Sequence, residues 1–335
     1  MARKTILVLG AQGMLGRFTA QRLEAAGHNV LRGGRRHEDA ADFRLVDLDR
    51  METFTEALKG VDLVVSSIED PETRAEREIL RRGGVLISQA TLPAPAQRRL
   101  HAEGARGAKG TVVLNSGLTG AMGMVIKDLL AEHPETDTIE IGFIASVLAS
   151  MGATGSKTAH GWFTSAPKLS VVKLLFTAPR VLWPCFDMSH FDFLWFSEAL
   201  AGKRKVRLCI GLAEQAFAVL LQALDRVGLL RALPKAMFTG LVKVRPAPAE
   251  LTREPIRVRV AMYQGDKLLA ARGMDAEGDY NSTTISTTLF AQALLDLADK
   301  RRVKAGVCNI EDLLRLEDMQ PELNRNRIFV QPLAS

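Results

Sequence analysis

Three glycines set the first chemical expectation. They stand in Gly10-Ala-Gln-Gly13-Met-Leu-Gly16, a GxxGxxG spacing between an apolar run and an amphipathic stretch. Such a spacing suits the holding of a pyrophosphate. A tight strand-to-helix turn needs backbone freedom. The phosphates must reach the main chain with no Cβ in the way, and the third glycine lets helix and strand pack closely. Unpaired N–H groups and the positive end of the helix then attract the anion. Gly10, Gln12, Gly13, Met14, Leu15 and Gly16 are therefore the binding candidates of this turn. A glycine-rich turn without a ligand is the alternative.

About twenty residues further on, a dinucleotide site chooses between NAD and NADP: an acid bonds the ribose 2′-hydroxyl, whereas cations attract a 2′-phosphate. The sequence here is Arg32-Gly-Gly-Arg35-Arg36, with no acid before Glu38. Arg32, Arg35 and Arg36 point to NADP, with NADPH preferred over NADH. A solvated basic turn is the alternative. Asp47 and Ser66–Ser67 lie at carboxyl ends of expected strands, where ligands gather in open parallel sheets. Asp47 would accept from an adenine amino group, or cap a helix. Gly117 and Thr119 follow the last strand of this series, where a nicotinamide ring would sit.

Hydride chemistry also calls for a proton donor or acceptor. Tyr263-Gln-Gly-Asp-Lys267 has the letters of a Tyr-x-x-x-Lys helix, but Gly265-Asp266 is a turn, so the pair would straddle a hairpin. Gly-x-Ser-x-Gly and His-Glu-x-x-His patterns are absent, and the six histidines show no ligand spacing, so no metal is expected. Lys157 and His160 close the stretch Met151-Gly-Ala-Thr-Gly-Ser-Lys-Thr-Ala-His160 and are the candidate catalytic residues. A flexible loop with incidental polar residues is the alternative.

These residues need elements to position them. Thr5–Leu9, Asn29–Arg32, Phe43–Val46, Asp62–Ile68, Val85–Ser88 and Thr111–Leu114 read as strands. Met14–Ala26, Met51–Lys59, Pro71–Arg82 and Pro95–Gly104 read as helices between them. Alternation of this kind implies crossovers and a parallel sheet with helices on both faces. After Asn115 the rhythm changes. Thr138–Leu148 is extended, and Pro255–Tyr263 with Leu268–Met274 forms a hairpin. Glu214–Leu230 and Ser282–Ala298 are helical. The expected class is α/β: a Rossmann-type doubly wound parallel sheet with an inserted α+β domain containing a mixed sheet. The expected divisions are 1–118 for the nucleotide domain, 119–278 for a substrate and dimerisation domain, and 279–335 for C-terminal helices packing back on the first.

Composition agrees with a globular chain. Of 335 residues, 47% are hydrophobic and 24% charged, which excludes a disordered or fibrous protein. The net charge of +6 is spread out, so nucleic acid is not an expected partner. The three cysteines have no CxxC spacing and fit a reducing, cytoplasmic setting. No signal peptide or spanning helix is expected; the best apolar run, around Val171–Trp183, is broken by Lys173, Pro179 and Arg180.

Four stretches resemble the saccharopine dehydrogenase-like family: GAQGMLG, the Gly34-Arg35 turn, TVVLNSGLTGAMGM, and GDYNSTTISTTLFAQALLD. The resemblance implies an NAD(P)-dependent oxidoreductase with a Rossmann domain and an inserted α+β domain, acting at a carbonyl or imine carbon. It also implies a small-molecule substrate and a homodimer. One departure is the lack of a matching set of substrate-carboxylate arginines. Two rival readings remain. The missing Tyr-x-x-x-Lys suggests a non-catalytic NADP-binding regulator or sensor. The segment Trp162–Phe196 holds all three tryptophans and six of the fourteen phenylalanines. It reads as core or interface, with an apolar lid or a lipid-facing oxidoreductase as the sharper version; membrane contact is not the expectation.

Overall fold

A computed structural model describes residues 3–36, 38–146, 153–165, 168–177, 181–234, 236, 240, 255–299 and 303–333. The first third runs β1 (Thr5–Leu9), α1 (Met14–Ala25), β2 (Asn29–Gly34), β3 (Phe43–Leu45), α2 (Met51–Ala57), β4 (Leu63–Ser66), α3 (Arg74–Arg82), β5 (Val85–Ser88), α4 (Ala94–Gly104) and β6 (Thr111–Leu114). Then come α5 (Leu118–Glu132), β7 (Thr138–Ala145), α6 (Ala153–Ser165), β8 (Val171–Phe176), β9 (Val181–Asp187), α7 (Glu198–Ala201), β10 (Lys205–Leu212) and α8 (Gln215–Arg226). The chain closes with β11 (Pro255–Gln264), β12 (Lys267–Glu277), α9 (Asp279–Asp299), β13 (Gly306–Asn309), α10 (Ile310–Leu313), α11 (Leu316–Arg325) and β14 (Ile328–Pro332).

The elements form two units. The first comprises Met1–Met124, Phe193–Ser197 and Ser282–Met319. Its sheet has the order β13-β6-β5-β4-β1-β2-β3, and every neighbouring pair is parallel. Strand order 3-2-1-4-5-6 is the Rossmann arrangement, here with β13 added beside β6. Helices cover such a sheet on both faces, so its strands read as unbroken apolar runs. Ile6, Leu7, Val8 and Leu9 are all fully buried, as are Leu86, Ile87, Val112 and Val113. Helix α1 turns Thr19, Ala20 and Leu23 inward, the three-to-four spacing of a single helical stripe.

The second unit comprises Val125–Asp192, Glu198–Asn281 and Gln320–Ser335. Its sheet has the order β14-β12-β11-β7-β10-β9-β8. The β7–β10 pair is parallel and the others antiparallel, so the sheet is mixed. The β11–β12 hairpin turns at Gly265 (φ +57°) and Asp266, with Gln264 opposite Lys267. On one face Cys185 and Cys209 pack with Ile144, Leu174 and Phe176. Burial pushes both thiols up to about 12, which leaves them inert at neutral pH.

The opening segment of the first unit ends at Met124, inside α5, where the sequence placed a boundary at 118. The tail is not one block: Ser282–Met319 belongs to the first unit, whereas β14 pairs with β12 in the second, Met274 opposite Val330. The stretch Met151–His160, for which a flexible loop was the alternative reading, enters a helix at Ala153. Residues 147–152 lie outside the described residues. The aromatic segment divides as well. Phe163 meets Phe186 edge-on at 5.4 Å in the second unit, and Phe193 meets Trp195 at 5.5 Å in the first.

Candidate functional site

The chain leaves β1 at Leu9 and turns into α1 through the three glycines. Gly10 has φ +73°, a conformation that side chains with a Cβ resist. The N–H groups of Gly10 and Ala11 both donate to the Gly33 carbonyl, at 3.1 and 3.2 Å, which ties the turn to β2. At Gly16 a Cβ would stand 2.3 Å from the Gly10 carbonyl oxygen, so no larger residue fits there without moving the turn. Gly13 caps α1 in an extended conformation, no side chain bonds the helix end, and the first turn carries no acid. Among the described residues the N–H groups of Met14, Leu15 and Gly16 have no side-chain partner, and no acid in the first turn offsets the positive end of α1. A cradle that excludes Cβ atoms and presents free N–H donors fits a pyrophosphate.

The three arginines after the turn separate. Arg32 lies within β2 and pairs with Glu24 at 2.6 Å and with Asp42. Its charge is spent on two carboxylates, which argues against the expected phosphate role. Arg35 and Arg36 follow the strand end, both exposed, and neither has an ion-pair partner among the described residues. Beside them lies Gln12, a residue of the glycine turn. Its Nε2 donates to the Arg36 carbonyl at 2.9 Å and to the Glu38 carboxylate at 2.8 Å. The amide packs against Gly34, where a Cβ would come within 2.6 Å of Gln12 Oε1.

Asp47 serves its own turn. It accepts from Arg50 Nε at 3.0 Å and from the Asp49 N–H at 3.2 Å. The Arg50 bond, then the Asp49 N–H, hold its carboxyl below the usual range, with Arg35 adding a weaker pull. These contacts hold the turn before α2, whose N-cap is Arg50, rather than capping that helix.

The carboxyl ends of the central strands carry a polar chain. Ser67 N–H donates to the Leu9 carbonyl at 3.1 Å, and Gln89 N–H to the Ser66 carbonyl at 3.0 Å. The Gln89 side chain donates to Ser67 Oγ and accepts from Thr19 Oγ1 at 3.0 Å. Gln89 thereby links α1, β4 and β5, a role that nothing in its sequence neighbourhood announces. Ser116 donates to the Ser88 carbonyl at 2.7 Å, and Thr287 of α9 donates to the Ser116 carbonyl at 3.1 Å. A Cβ at Gly117 would meet Thr283 Cγ2 at 2.7 Å, so that glycine admits α9. Thr119, half-buried, donates to the Asn115 carbonyl at 3.4 Å. Asn115 itself has φ +51° and donates to Gln97 and to the Leu194 carbonyl, both at 3.1 Å.

The turn, Arg35, Arg36, Ser66, Ser67, Gly117 and Thr119 all belong to the first unit; Lys157 and His160 belong to the second. His160 Nε2 lies 2.9 Å from the Leu233 carbonyl. Lys157 stands on α6, but its side chain lies outside the described residues. Tyr263 is engaged in a buried cluster. Its hydroxyl donates to Glu140 at 3.1 Å and accepts from Arg259 at 3.1 Å. Glu140 also pairs with Arg259 and, at 3.0 Å, with Arg207. Among the described residues no group of acids, cysteines and histidines could hold a metal ion. No helix among them is long and apolar enough to cross a membrane.

Comparison with known proteins agrees with the placement of the turn. Residues 6–79 match the model of the NAD dependent epimerase/dehydratase family. That description differs from the saccharopine dehydrogenase-like resemblance. No curated protein matches the sequence. Among solved structures, the chain is similar to the DAP dehydrogenase of C. glutamicum in complex with DAP, at 13% identity and TM-score 0.48, covering 95% of this chain and 98% of that one. It is also similar to the amine dehydrogenase from Mycobacterium smegmatis, at 9% identity and TM-score 0.49, covering 94% and 97%. A third is the dipicolinate-bound dihydrodipicolinate reductase from Paenisporosarcina sp. TG-14, at 10% identity and TM-score 0.41, covering 93% and 100%.

Proposed function

We propose that the chain is an NADP(H)-dependent oxidoreductase of the saccharopine dehydrogenase-like type, moving a hydride to or from a carbonyl or imine carbon of a small molecule. One observation carries this reading. A turn with no room for a Cβ at Gly16 opens onto an uncapped helix end, in the same unit as the exposed guanidiniums of Arg35 and Arg36, which have no ion-pair partner among the described residues. The N–H groups of the turn bind the diphosphate, and Gln12 orients its edge. Arg35 and Arg36 hold a 2′-phosphate through charge-assisted bonds. The nicotinamide, when bound, supplies or accepts the hydride. Thr119 and the main chain at Gly117 lie past β6 and position that end, while Ser66 and Ser67 border the cofactor at β4. The family matched over residues 6–79 is described as NAD dependent, which supports the dinucleotide but not the choice of NADP.

Lys157 and His160 are the proton-donor candidates. His160 Nε2 faces the Leu233 carbonyl at 2.9 Å. That contact also favours a second reading, an NADP-binding regulator without turnover. One experiment separates the two: NADPH oxidation across a panel of carbonyl and imine compounds, with Gly16→Ala as control. Turnover of at least one compound, lost in the control, is expected. Saturable NADPH binding with no turnover across the panel would support the regulator.

A further inference from the structure

The contact between Gln12 and Glu38 has a consequence for cofactor choice, and it rests on the dinucleotide reading above. Gln12 belongs to the glycine turn, yet its amide holds a carboxylate. The same Nε2 bonds the Arg36 carbonyl, so the Glu38 carboxylate is fixed beside the chain that presents Arg35 and Arg36. Gly34 makes room for this arrangement, because a side chain there would collide with the Gln12 amide. Glu38 is exposed and has no ion pair with either arginine. The lip of the expected 2′-phosphate pocket therefore carries one negative charge held by Gln12 and two positive charges with no ion-pair partner among the described residues.

We propose that Glu38 is a specificity-determining latch: its carboxylate, held by Gln12, opposes a 2′-phosphate and must swing off Gln12 before NADPH seats. A dianionic phosphate approaching Arg35 and Arg36 meets repulsion from Glu38 at short range. Releasing Glu38 from Gln12 removes that repulsion and frees the Gln12 amide. NADH carries no phosphate at this position and leaves the latch closed. The latch thus narrows the preference for NADPH that the two arginines create.

Glu38→Gln tests this cleanly, because it removes the charge and keeps an acceptor for Gln12. Fluorescence titrations of NADPH and NADH would be run on wild type and variant at two salt concentrations. The latch predicts NADPH binding about three- to tenfold tighter in the variant, a gain that shrinks at high salt, with NADH unchanged. If both affinities stay as in wild type, the latch is overturned while the dinucleotide site stands. If NADH binding weakens tenfold, Glu38 grips the ribose 2′-hydroxyl and the latch is equally overturned. If wild type binds neither nucleotide, the dinucleotide reading itself fails, and the latch with it.

Discussion

The two sheets treat buried polarity in opposite ways. In the first unit the interiors of the central strands β1, β4, β5 and β6 are apolar, and polar groups gather where those strands end, at Ser66, Ser67, Gln89 and Ser116. In the second unit a carboxylate sits in mid-strand: Glu140 is buried on β7 and bracketed by Arg259 of β11 and Arg207 of β10. The covered centre of a parallel sheet has little place for charge, and its carboxyl edge is where ligands bind. A mixed sheet whose strands come from distant parts of the chain can fix its register with an ion pair instead. Breaking such a pair leaves an unpaired buried charge, which costs more than the pair ever contributed.

Substitutions can break or sharpen that contrast. The largest effect is expected at Glu140. Glu140→Leu strands the Arg259 charge and should cost about 3–5 kcal/mol in denaturant unfolding of the second unit. Glu140→Leu combined with Arg259→Leu should recover most of that loss; a double variant as unstable as the single would mean the pair acts through packing alone. Next comes Gly16→Ala in the first unit, where the added Cβ meets backbone rather than a flexible side chain. A loss of about 3 kcal/mol, together with loss of NADPH binding, is expected by thermal unfolding and titration.

Glu76 tests the apolar side of the first unit. It lies buried on α3, neither carboxylate oxygen has a hydrogen-bond partner among the described residues, and burial pushes its pKa up to about 7. The folded chain therefore keeps a proton that the unfolded chain releases above about 4.5. Stability contributed by this group is full below about 4.5 and is lost as pH rises to about 7. Glu76→Gln should remove that dependence and gain up to about 3 kcal/mol at pH 8, with little change at pH 4. A variant with an unchanged pH profile would show that the acid ionises without cost. The smallest effects are expected at the exposed arginines: Arg35→Ala or Arg36→Ala should each weaken NADPH about tenfold and leave stability unchanged.

The sequence made parts of this legible and hid others. Thr5–Leu9, Val85–Ser88 and Thr111–Leu114 match their strands residue for residue, because continuous apolar runs bounded by glycine and polar residues have one stable placement in a covered sheet. The glycine turn was legible for the same reason: its steric demands are local. Arg32 was not, since its partners Glu24 and Asp42 are set by the neighbouring helix and strand, not by its own spacing. The helix at Ala153–Ser165 was hidden because Gly, Ser and Thr are weak helix formers, and tertiary context overrides such propensities. Strand β9 was hidden by Pro184. That proline faces no partner on β10, whose pairing with β9 covers only Cys185–Asp187, so the missing N–H leaves that ladder intact. Gln89 and Glu38 matter through what they touch, which no linear pattern encodes.

The glycine turn together with Arg35 and Arg36 is proposed to hold a 2′-phosphorylated dinucleotide. Calorimetric titration of the full chain with NADPH and NADH, repeated on the Arg35→Ala/Arg36→Ala double variant, is the decisive test of that site. NADPH should bind more tightly than NADH in wild type, and the double variant should abolish the difference. Equal affinities in wild type, or a preference for NADH, would contradict it.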